Sequence, residues 1–336
     1  MTQSQQHKKI LVTRDFPSIG LEMLKSQGFL VTTWEEDRPM MENELIEKAR
    51  DHNALLCTLT EKIDKVFLSQ CAHLEIISQF AVGYDNIDVA EATRLGIPIG
   101  YTPGAMSDAT ADIAFGLMIA TARKMLFMHK TILNGEWNYF RPNVNLGVEL
   151  KKKTLGIYGL GRIGFEMARR CKGAYEMDIL YYNRNPNPEM ETRLGATWVP
   201  FDELLHRSDV LSVHCALTDE TRGVFNREVF KKMKPTAIFI NTARGLIHQE
   251  EDLINALRTG QIWGAGLDVT NPEPMRPDNP LLFMERVTVL PHIGSATMEA
   301  RTEMSRLAAE NIIAFYLDKE IPNLVNPEVI KNKKRR

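Results

Sequence analysis

Three residues that could bind an anion and move a proton each follow a short apolar segment of the chain. Arg244 lies in a turn of small residues after 237–241, Glu273 stands between two prolines within 266–274, and His292 follows 287–290. An arginine can hold an anionic substrate and polarise its carbonyl group. A histidine near a carboxylate can give or take a proton near neutral pH. Together these residue types indicate acid–base chemistry on a small anionic substrate.

The segment 155–184 predicts a site for a second reactant. It has the order strand, glycine turn, helix and strand, with Gly159, Gly161 and Gly164 in the spacing GxGxxG. The first glycine permits a tight turn, the second lets the backbone approach a pyrophosphate, and the third lets helix and strand pack closely. Because a strand and a helix frame the glycines, the pattern predicts a dinucleotide site. The alternative is a tight turn in an ordinary α/β unit.

The end of the second strand in this segment bears on which dinucleotide would bind. An NAD site usually has Asp or Glu about 20 residues beyond the glycines, where it binds the ribose 2′-hydroxyl. Asn183 and Arg184 stand there instead. An amide and a guanidinium can bind a 2′-phosphate, which a carboxylate would repel. We therefore expect NADPH to be favoured, with NADH possible. The alternative is a solvated Arg184 and a site indifferent to the phosphate.

Two series of alternating strands and helices must position these residues. Short apolar runs alternate with helical segments from residue 9 to 101, and a second series runs through 210–215, 237–241, 262–268 and 287–290. Such alternation predicts parallel sheets. Between the series, 107–133 reads as one long helical run with apolar positions on nearly every side, and a polar, aromatic loop follows at 137–146. The expected helix N-caps are Ser18, Asp64, Asp88 and Thr297.

The composition excludes several other classes of protein. The 336 residues are 44% hydrophobic and 25% charged, with a net charge of −2, so neither nucleic acid nor a membrane surface is expected as a partner. The four cysteines have no metal-ligand spacing, and we expect no metal site. They suit a reducing compartment, and the polar start of the chain has no apolar signal core. We therefore expect a cytoplasmic protein.

Five motifs in this order resemble those of the D-isomer-specific 2-hydroxyacid dehydrogenases, and within them the glyoxylate/hydroxypyruvate reductases. They are SQFAVGYDNIDV (78–89), GLGRIG (159–164), INTARG (240–245), GLDVTNPEP (266–274) and LPHIGSAT (290–297). The resemblance extends from about residue 9 to 326. It implies two Rossmann-like doubly wound α/β domains, with a dinucleotide-binding domain, 103–290, inserted into a substrate domain, 1–102 and 291–336. It also implies a homodimer built through the 107–133 region.

The resemblance assigns the chemistry to three residues. Arg244 resembles the arginine that binds the substrate carboxylate and carbonyl oxygen. His292 resembles the general acid that protonates that oxygen, and Glu273 resembles the carboxylate that orients the histidine. Val82 and Gly83 match a loop whose N–H groups hold the substrate carboxylate, and Ser295 matches a pocket hydroxyl. The expected cofactor contacts are Leu160, Arg162 and Ile163 around the phosphates, Asp268 near the nicotinamide carboxamide, and Cys215, Leu217, Thr242 and Ala243 along the adenosine and nicotinamide.

One departure from the resemblance leaves the substrate open. These reductases often have a tryptophan from the neighbouring subunit that narrows the pocket; here Trp137 is present, but Phe140 occupies the expected pocket-facing place. We therefore expect an NADPH-preferring reductase of small 2-oxo acids, with a 2-ketogluconate or broad 2-ketoacid reductase as the alternative. From another class, a nucleotide-sensing, corepressor-like binding protein would share the same fold and residues. His248 is expected at a helix entry, without catalytic work.

Overall fold

The computed structural model describes residues 8–333 of the chain, which divide into two compact units. The terminal unit comprises the chain up to Met106 together with the segment from Ala296 onward. The inserted unit is Ser107–Ser295. The expectation of a cytoplasmic protein depends partly on the polar start of the chain. Residues 1–7 of that start lie outside the described residues. No helix within 8–333 is long and apolar enough to cross a lipid bilayer.

The terminal unit contains a five-stranded parallel sheet of order β2-β1-β3-β4-β5. Its strands are β1 (Lys9–Val12), β2 (Leu30–Thr33), β3 (Ala54–Cys57), β4 (Ile76–Gln79) and β5 (Ile99–Gly100). Its helices are α1 (Ser18–Ser26), α2 (Glu42–Arg50), α3 (Lys65–Gln70), α4 (Val89–Leu95), α12 (Met298–Tyr316) and α13 (Glu328–Lys333). Apolar clusters cover both faces of this sheet.

The return of the chain to this unit is carried by α12. Its Ser305 hydroxyl accepts from the Gly20 N–H at 3.2 Å and donates to the Pro17 carbonyl at 2.7 Å. A Cβ at Gly20 would lie 2.4 Å from the Ser305 carbonyl oxygen, so α1 and α12 approach too closely for any larger residue. The last helix therefore belongs to the same unit as the first strand, a placement that apolar periodicity alone does not give.

The inserted unit contains a seven-stranded parallel sheet of order β12-β11-β10-β9-β6-β7-β8. Its strands are β6 (Thr154–Tyr158), β7 (Asp178–Tyr182), β8 (Thr197–Trp198), β9 (Val210–Val213), β10 (Ile238–Asn241), β11 (Gly264–Leu267) and β12 (Val287–Val289). Its helices are α5 (Ser107–Ala122), α6 (Met125–Leu133), α7 (Arg162–Tyr175), α8 (Pro188–Leu194), α9 (Phe201–Arg207), α10 (Arg227–Lys231) and α11 (Glu250–Arg258). The strand order reverses between β6 and β9, and ligands bind beyond the carboxyl ends of strands at such a point. Two parallel α/β sheets confirm the predicted fold class.

Two local predictions were wrong. The expected single helix at 107–133 is broken at Lys124, whose φ of 53° is left-handed and ends α5 before α6 begins. The Lys124 ammonium pairs with Glu285, which holds the break in place. Ser18 is the first residue of α1 and not its cap, since the N-cap is Pro17 and has no side-chain hydrogen bond. The caps at Asp64, Asp88 and Thr297 are confirmed by hydrogen bonds from backbone N–H groups to their side chains.

Candidate active site

The glycine turn after β6 lies against the end of β9. Gly159 has a φ of 100°, and a Cβ there would lie 2.6 Å from the Cys215 nitrogen. A Cβ at Gly164 would lie 2.7 Å from the Gly159 oxygen, which shows how closely α7 packs on the turn. At Gly161, by contrast, a Cβ would meet open space. The turn thus leaves room at the N-terminus of the 14-residue α7, where backbone N–H groups and the helix dipole favour a phosphate.

The side chain of Asn183, at the end of β7, contacts this turn directly. Its Oδ1 accepts from the Leu160 N–H at 2.7 Å, and its Nδ2 donates to the Leu160 carbonyl at 3.2 Å. Both polar groups of the amide therefore hold the glycine turn. Arg184 is exposed, and its positive charge helps to lower the pKa of Glu220, after the larger effect of the Thr218 hydroxyl.

Residues expected along the cofactor line the ends of β9 and β10. Cys215 and Leu217 are half-buried against the core, and Thr242 is buried. Between them, His214 contacts the Ser212 hydroxyl through Nε2 at 2.8 Å and the Thr242 hydroxyl through Nδ1 at 3.4 Å. Burial lowers the pKa of His214 to about 3, so the ring is neutral near pH 7. His214 therefore adds no positive charge at the ends of β9 and β10.

Arg244 lies in a turn that the Asn241 side chain holds from within. Asn241 Oδ1 accepts from the Ala243 N–H at 2.9 Å, and its Nδ2 donates to the Arg244 carbonyl at 2.9 Å. The same Nδ2 lies 3.1 Å from Nδ1 of the buried His248. A Cβ at Gly245 would lie only 2.0 Å from the Thr270 oxygen. Glycine at 245 therefore lets the arginine turn pack directly on the loop that carries Glu273.

A hydrogen bond joins Glu273 and His292. His292 Nδ1 lies 2.9 Å from Glu273 Oε2, and the Thr270 N–H donates to Glu273 Oε1 at 2.9 Å. Both carboxylate oxygens thus have a partner, which fixes the plane of the carboxylate. With Nδ1 directed at Glu273, the ring nitrogen available for a substrate is Nε2.

The backbone at His292 is held by Asp268. His292 has a left-handed φ of 54°, and the two following N–H groups donate to the Asp268 carboxylate, Ile293 at 2.8 Å and Gly294 at 2.7 Å. A non-glycine residue adopts this conformation only when its surroundings impose it. Burial raises the pKa of Asp268, although these two N–H groups oppose that effect. Asp268 therefore fixes the direction in which the histidine leaves β12.

The charges of the three residues act on one another. Burial alone would raise the pKa of Glu273, but the hydrogen bond with His292, the Thr270 N–H and the positive charges of His292 and Arg244 together lower it. The carboxyl group therefore ionises at a lower pH than an ordinary glutamate does. An ionised Glu273 accepts a stronger hydrogen bond from His292 Nδ1 than a neutral carboxyl group would.

Comparison with known proteins fits this geometry. The sequence profile described as "D-isomer specific 2-hydroxyacid dehydrogenase, NAD binding domain" matches residues 115–294. A glyoxylate reductase from Pyrococcus furiosus is 46% identical over 330 residues, which cover 97% of each chain. Another, from Korarchaeum cryptofilum, is 42% identical over 96% of this chain and 97% of that protein.

The chain belongs to the D-isomer-specific 2-hydroxyacid dehydrogenase family. It is an NAD(P)-dependent oxidoreductase. Solved structures of the family are similar along nearly its whole length. A glyoxylate reductase from Paecilomyes thermophila has a TM-score of 0.86 and 34% identity, covering 96% of this chain and 99% of that one. An NADPH-dependent glyoxylate/hydroxypyruvate reductase from Sinorhizobium meliloti, in complex with NADP and malonate, has a TM-score of 0.83 and 31% identity, covering 95% and 96%.

The other site residues expected of this dehydrogenase are spread along the chain. Val82 and Gly83 belong to the terminal unit, in the loop after β4. Phe140 is 85% exposed and lines a cavity of about 360 Å³ with its neighbours in the 136–145 segment. Ser295 is half-buried, one residue beyond the Gly294 that Asp268 binds. Near the glycine turn, Leu160 is buried, Ile163 is half-buried and Arg162 is exposed.

Sequence reasoning missed the residues that hold the dehydrogenase loops in place. Asn241, Gly245 and Thr270 were read only as members of motifs, yet each fixes a loop that carries Arg244 or Glu273. Their position at the end of a strand or in the loop that follows it was the available signal, since such loops are commonly held by local hydrogen bonds. Within 8–333, no group of three or more His, Cys, Asp or Glu residues is arranged to hold a metal ion.

Proposed function

We propose that this dehydrogenase is an NADPH-preferring reductase of small 2-oxo acids, which converts glyoxylate to glycolate and hydroxypyruvate to D-glycerate. The observation that carries the proposal is the 2.9 Å pair of His292 and Glu273, with the Arg244 turn packed on the same loop. The names of the similar proteins, glyoxylate reductase and glyoxylate/hydroxypyruvate reductase, support this substrate class.

In the proposed reaction each residue has a separate task. A bound nicotinamide supplies the hydride that reduces the substrate carbonyl carbon. Arg244 holds the substrate carboxylate and polarises the carbonyl oxygen, and His292 delivers a proton from Nε2 to that oxygen. Glu273 orients the ring of His292, while the N–H groups of Val82 and Gly83 hold the carboxylate. Residues 103–290 are the proposed dinucleotide-binding domain, and 1–102 with 291–336 form the substrate domain.

Arg184 carries the proposed preference for NADPH. It is exposed at the end of β7, and no carboxylate occupies position 183, where an acidic residue would repel a 2′-phosphate. We expect Arg184→Ala to weaken NADPH binding by about tenfold or more and NADH binding much less, because only NADPH has the phosphate. Arg207→Ala, an exposed arginine on α9 of the same unit, serves as the matched control. Equal losses for the two cofactors would contradict the assignment of Arg184.

The substrate range is tested by kcat/KM for glyoxylate, hydroxypyruvate and 2-ketogluconate, each with NADPH and NADH. The proposal predicts the highest values with the first two substrates and NADPH. A clear preference for 2-ketogluconate would keep the same acid–base chemistry and indicate a wider pocket. Tight NADPH binding with no turnover of any substrate would contradict the proposed reductase activity and would favour a nucleotide-sensing protein.

We also propose that the protein is a cytoplasmic homodimer. Large apolar side chains of α6 and the following segment are exposed in the single chain, including Leu133 at 72% and Trp137 at 73%. Exposed apolar groups of this extent favour an interface between copies. The four cysteines are free thiols, as a reducing compartment would allow. Sedimentation should give a dimer, and Leu133→Asp should shift it towards monomer; a monomeric wild-type protein would contradict the proposal.

A further inference from the structure

The loop after β4 offers two backbone donors and is fixed on either side of them. Within the part of the chain that the structure describes, no hydrogen bond uses the N–H groups of Val82 or Gly83. Just before them, the Ala81 carbonyl accepts from the Thr102 N–H at 3.0 Å. Because a peptide group is planar, this bond also sets the direction of the Val82 N–H. A second restraint acts just after them, on the Gly83 carbonyl.

That second restraint comes from the fully buried Gln79. Its Nε2 donates to the Gly83 carbonyl at 3.3 Å and to Asn86 Oδ1 at 2.8 Å, and its Oε1 lies 3.1 Å from the Cys57 thiol. Both amide hydrogens and the amide oxygen thus have partners. A buried amide with all its groups in use has one orientation, because rotating it would leave donors and acceptors unpaired.

Asn86 continues the same network beyond the loop. Its Nδ2 donates to the carbonyls of Thr58 at 3.1 Å and Glu61 at 2.7 Å, and its Oδ1 accepts from Gln79. Two carbonyl acceptors on the Nδ2 side and one amide donor on the Oδ1 side leave a single arrangement of this side chain. The loop after β4 is therefore tied to the loop after β3.

The loop after β3 is itself held by the buried carboxylate of Glu61. Glu61 Oε2 accepts from the Thr58 N–H and the Thr13 hydroxyl, both at 2.8 Å, and Oε1 pairs with Arg14 at 3.0 Å. The support under the Val82–Gly83 donors therefore reaches back to β1. It is made of hydrogen bonds among side chains and backbone groups, and it includes the ion pair of Glu61 and Arg14.

We propose that Gln79 and Asn86 are positioning residues for substrate binding, which aim the Val82 and Gly83 N–H groups at the substrate carboxylate. This inference rests on the proposed function, in which those two donors hold the carboxylate. Gln79 and Asn86 act through the backbone and add no charge, so they affect binding of the carboxylate and leave cofactor binding and proton transfer unchanged. Substitution of a residue that only stabilised the fold would not weaken carboxylate binding while leaving cofactor binding and proton transfer unchanged.

The test uses Gln79→Met, which keeps the length of the side chain and removes every hydrogen bond. We expect KM for glyoxylate to rise about tenfold, kcat to change less, and the Kd of NADPH to stay the same. Oxalate, an unreactive dicarboxylate, should bind the complex with NADPH about tenfold more weakly in the variant. Asn86→Asp replaces the donor Nδ2, which makes two hydrogen bonds, by an acceptor oxygen, and it should give the same pattern.

Ser78→Ala is the matched control. Ser78 precedes Gln79 on β4, is also fully buried, and donates to the Ala308 carbonyl of α12 at 2.9 Å, on the opposite face of the sheet. It should lower the Tm as Gln79→Met does, without changing KM or oxalate binding. Unchanged oxalate affinity in Gln79→Met, beside a wild-type protein that reduces glyoxylate, would overturn the positioning role alone. A wild-type protein that neither reduces 2-oxo acids nor binds oxalate would overturn the proposed function with it.

Discussion

Two regions of the inserted unit are held in opposite ways. Hydrogen bonds with Asn241, Thr270 and Asp268 fix the loops that carry Arg244, Glu273 and His292. The segment 134–149 has neither helix nor strand, and it exposes Tyr139 at 70% and Phe140 at 85%. In the first region, hydrogen bonds within a single chain hold the loops in place. In the second region, aromatic side chains are exposed in that chain, as they would be on a surface that contacts another copy.

The largest effect is expected in the first region, from His292→Ala. Loss of the proposed general acid should lower kcat for glyoxylate by roughly 10²–10⁴-fold. NADPH titration should give nearly the wild-type Kd. Loss of tight NADPH binding would show that the histidine holds the cofactor and not the proton.

A purely steric change in the same region should lower the activity almost as much. In Gly245→Ala the new methyl group would lie 2.0 Å from the Thr270 oxygen, so the Arg244 turn must move away from the Glu273 loop. A displacement of this kind can lower kcat/KM by roughly 10²-fold. Gly173→Ala, on α7, is the control because its methyl group would meet open space. Equal activity of the two variants would mean that the contact between these loops does not matter.

The charge of Glu273 should appear in the pH dependence of the reaction. Because the pKa of Glu273 is lowered, its carboxylate is ionised at any pH above the ordinary pKa of a glutamate. Its contribution to catalysis is lost as the pH falls through the lowered pKa. In Glu273→Gln no carboxylate can be protonated beside His292, so the loss of kcat at acidic pH that Glu273 causes in the wild-type protein should disappear. At neutral pH, kcat should fall on the order of tenfold. The same acidic limb in the wild-type and variant profiles would separate Glu273 from the reaction.

The smallest effect is expected in the second region. Phe140→Trp places a larger ring at the proposed pocket-facing position, and it should lower kcat/KM for 2-ketogluconate relative to glyoxylate by roughly tenfold. NADPH binding and the Tm should not change, because the side chain is almost fully exposed within one chain. A falling Tm would indicate that Phe140 packs within its own unit.

The same contrast explains what the sequence could predict. The parallel sheets, the glycine turn and the order of Arg244, Glu273 and His292 follow from local patterns, because strand ends and turns are determined by nearby residues. The break at Lys124 does not, since it depends on a pairing with Glu285 far along the chain. Nor does the role of Asn183 on the Leu160 backbone, because an amide suits a phosphate and a peptide group equally well.

The most direct test of the whole account is the configuration of the product. The purified protein is incubated with hydroxypyruvate and NADPH, and the glycerate formed is resolved into its two isomers. We predict stoichiometric oxidation of NADPH and D-glycerate as the product, since hydride and proton must reach the carbonyl from directions set by the cofactor and His292. Formation of L-glycerate, or tight NADPH binding without any glycerate, would contradict the account.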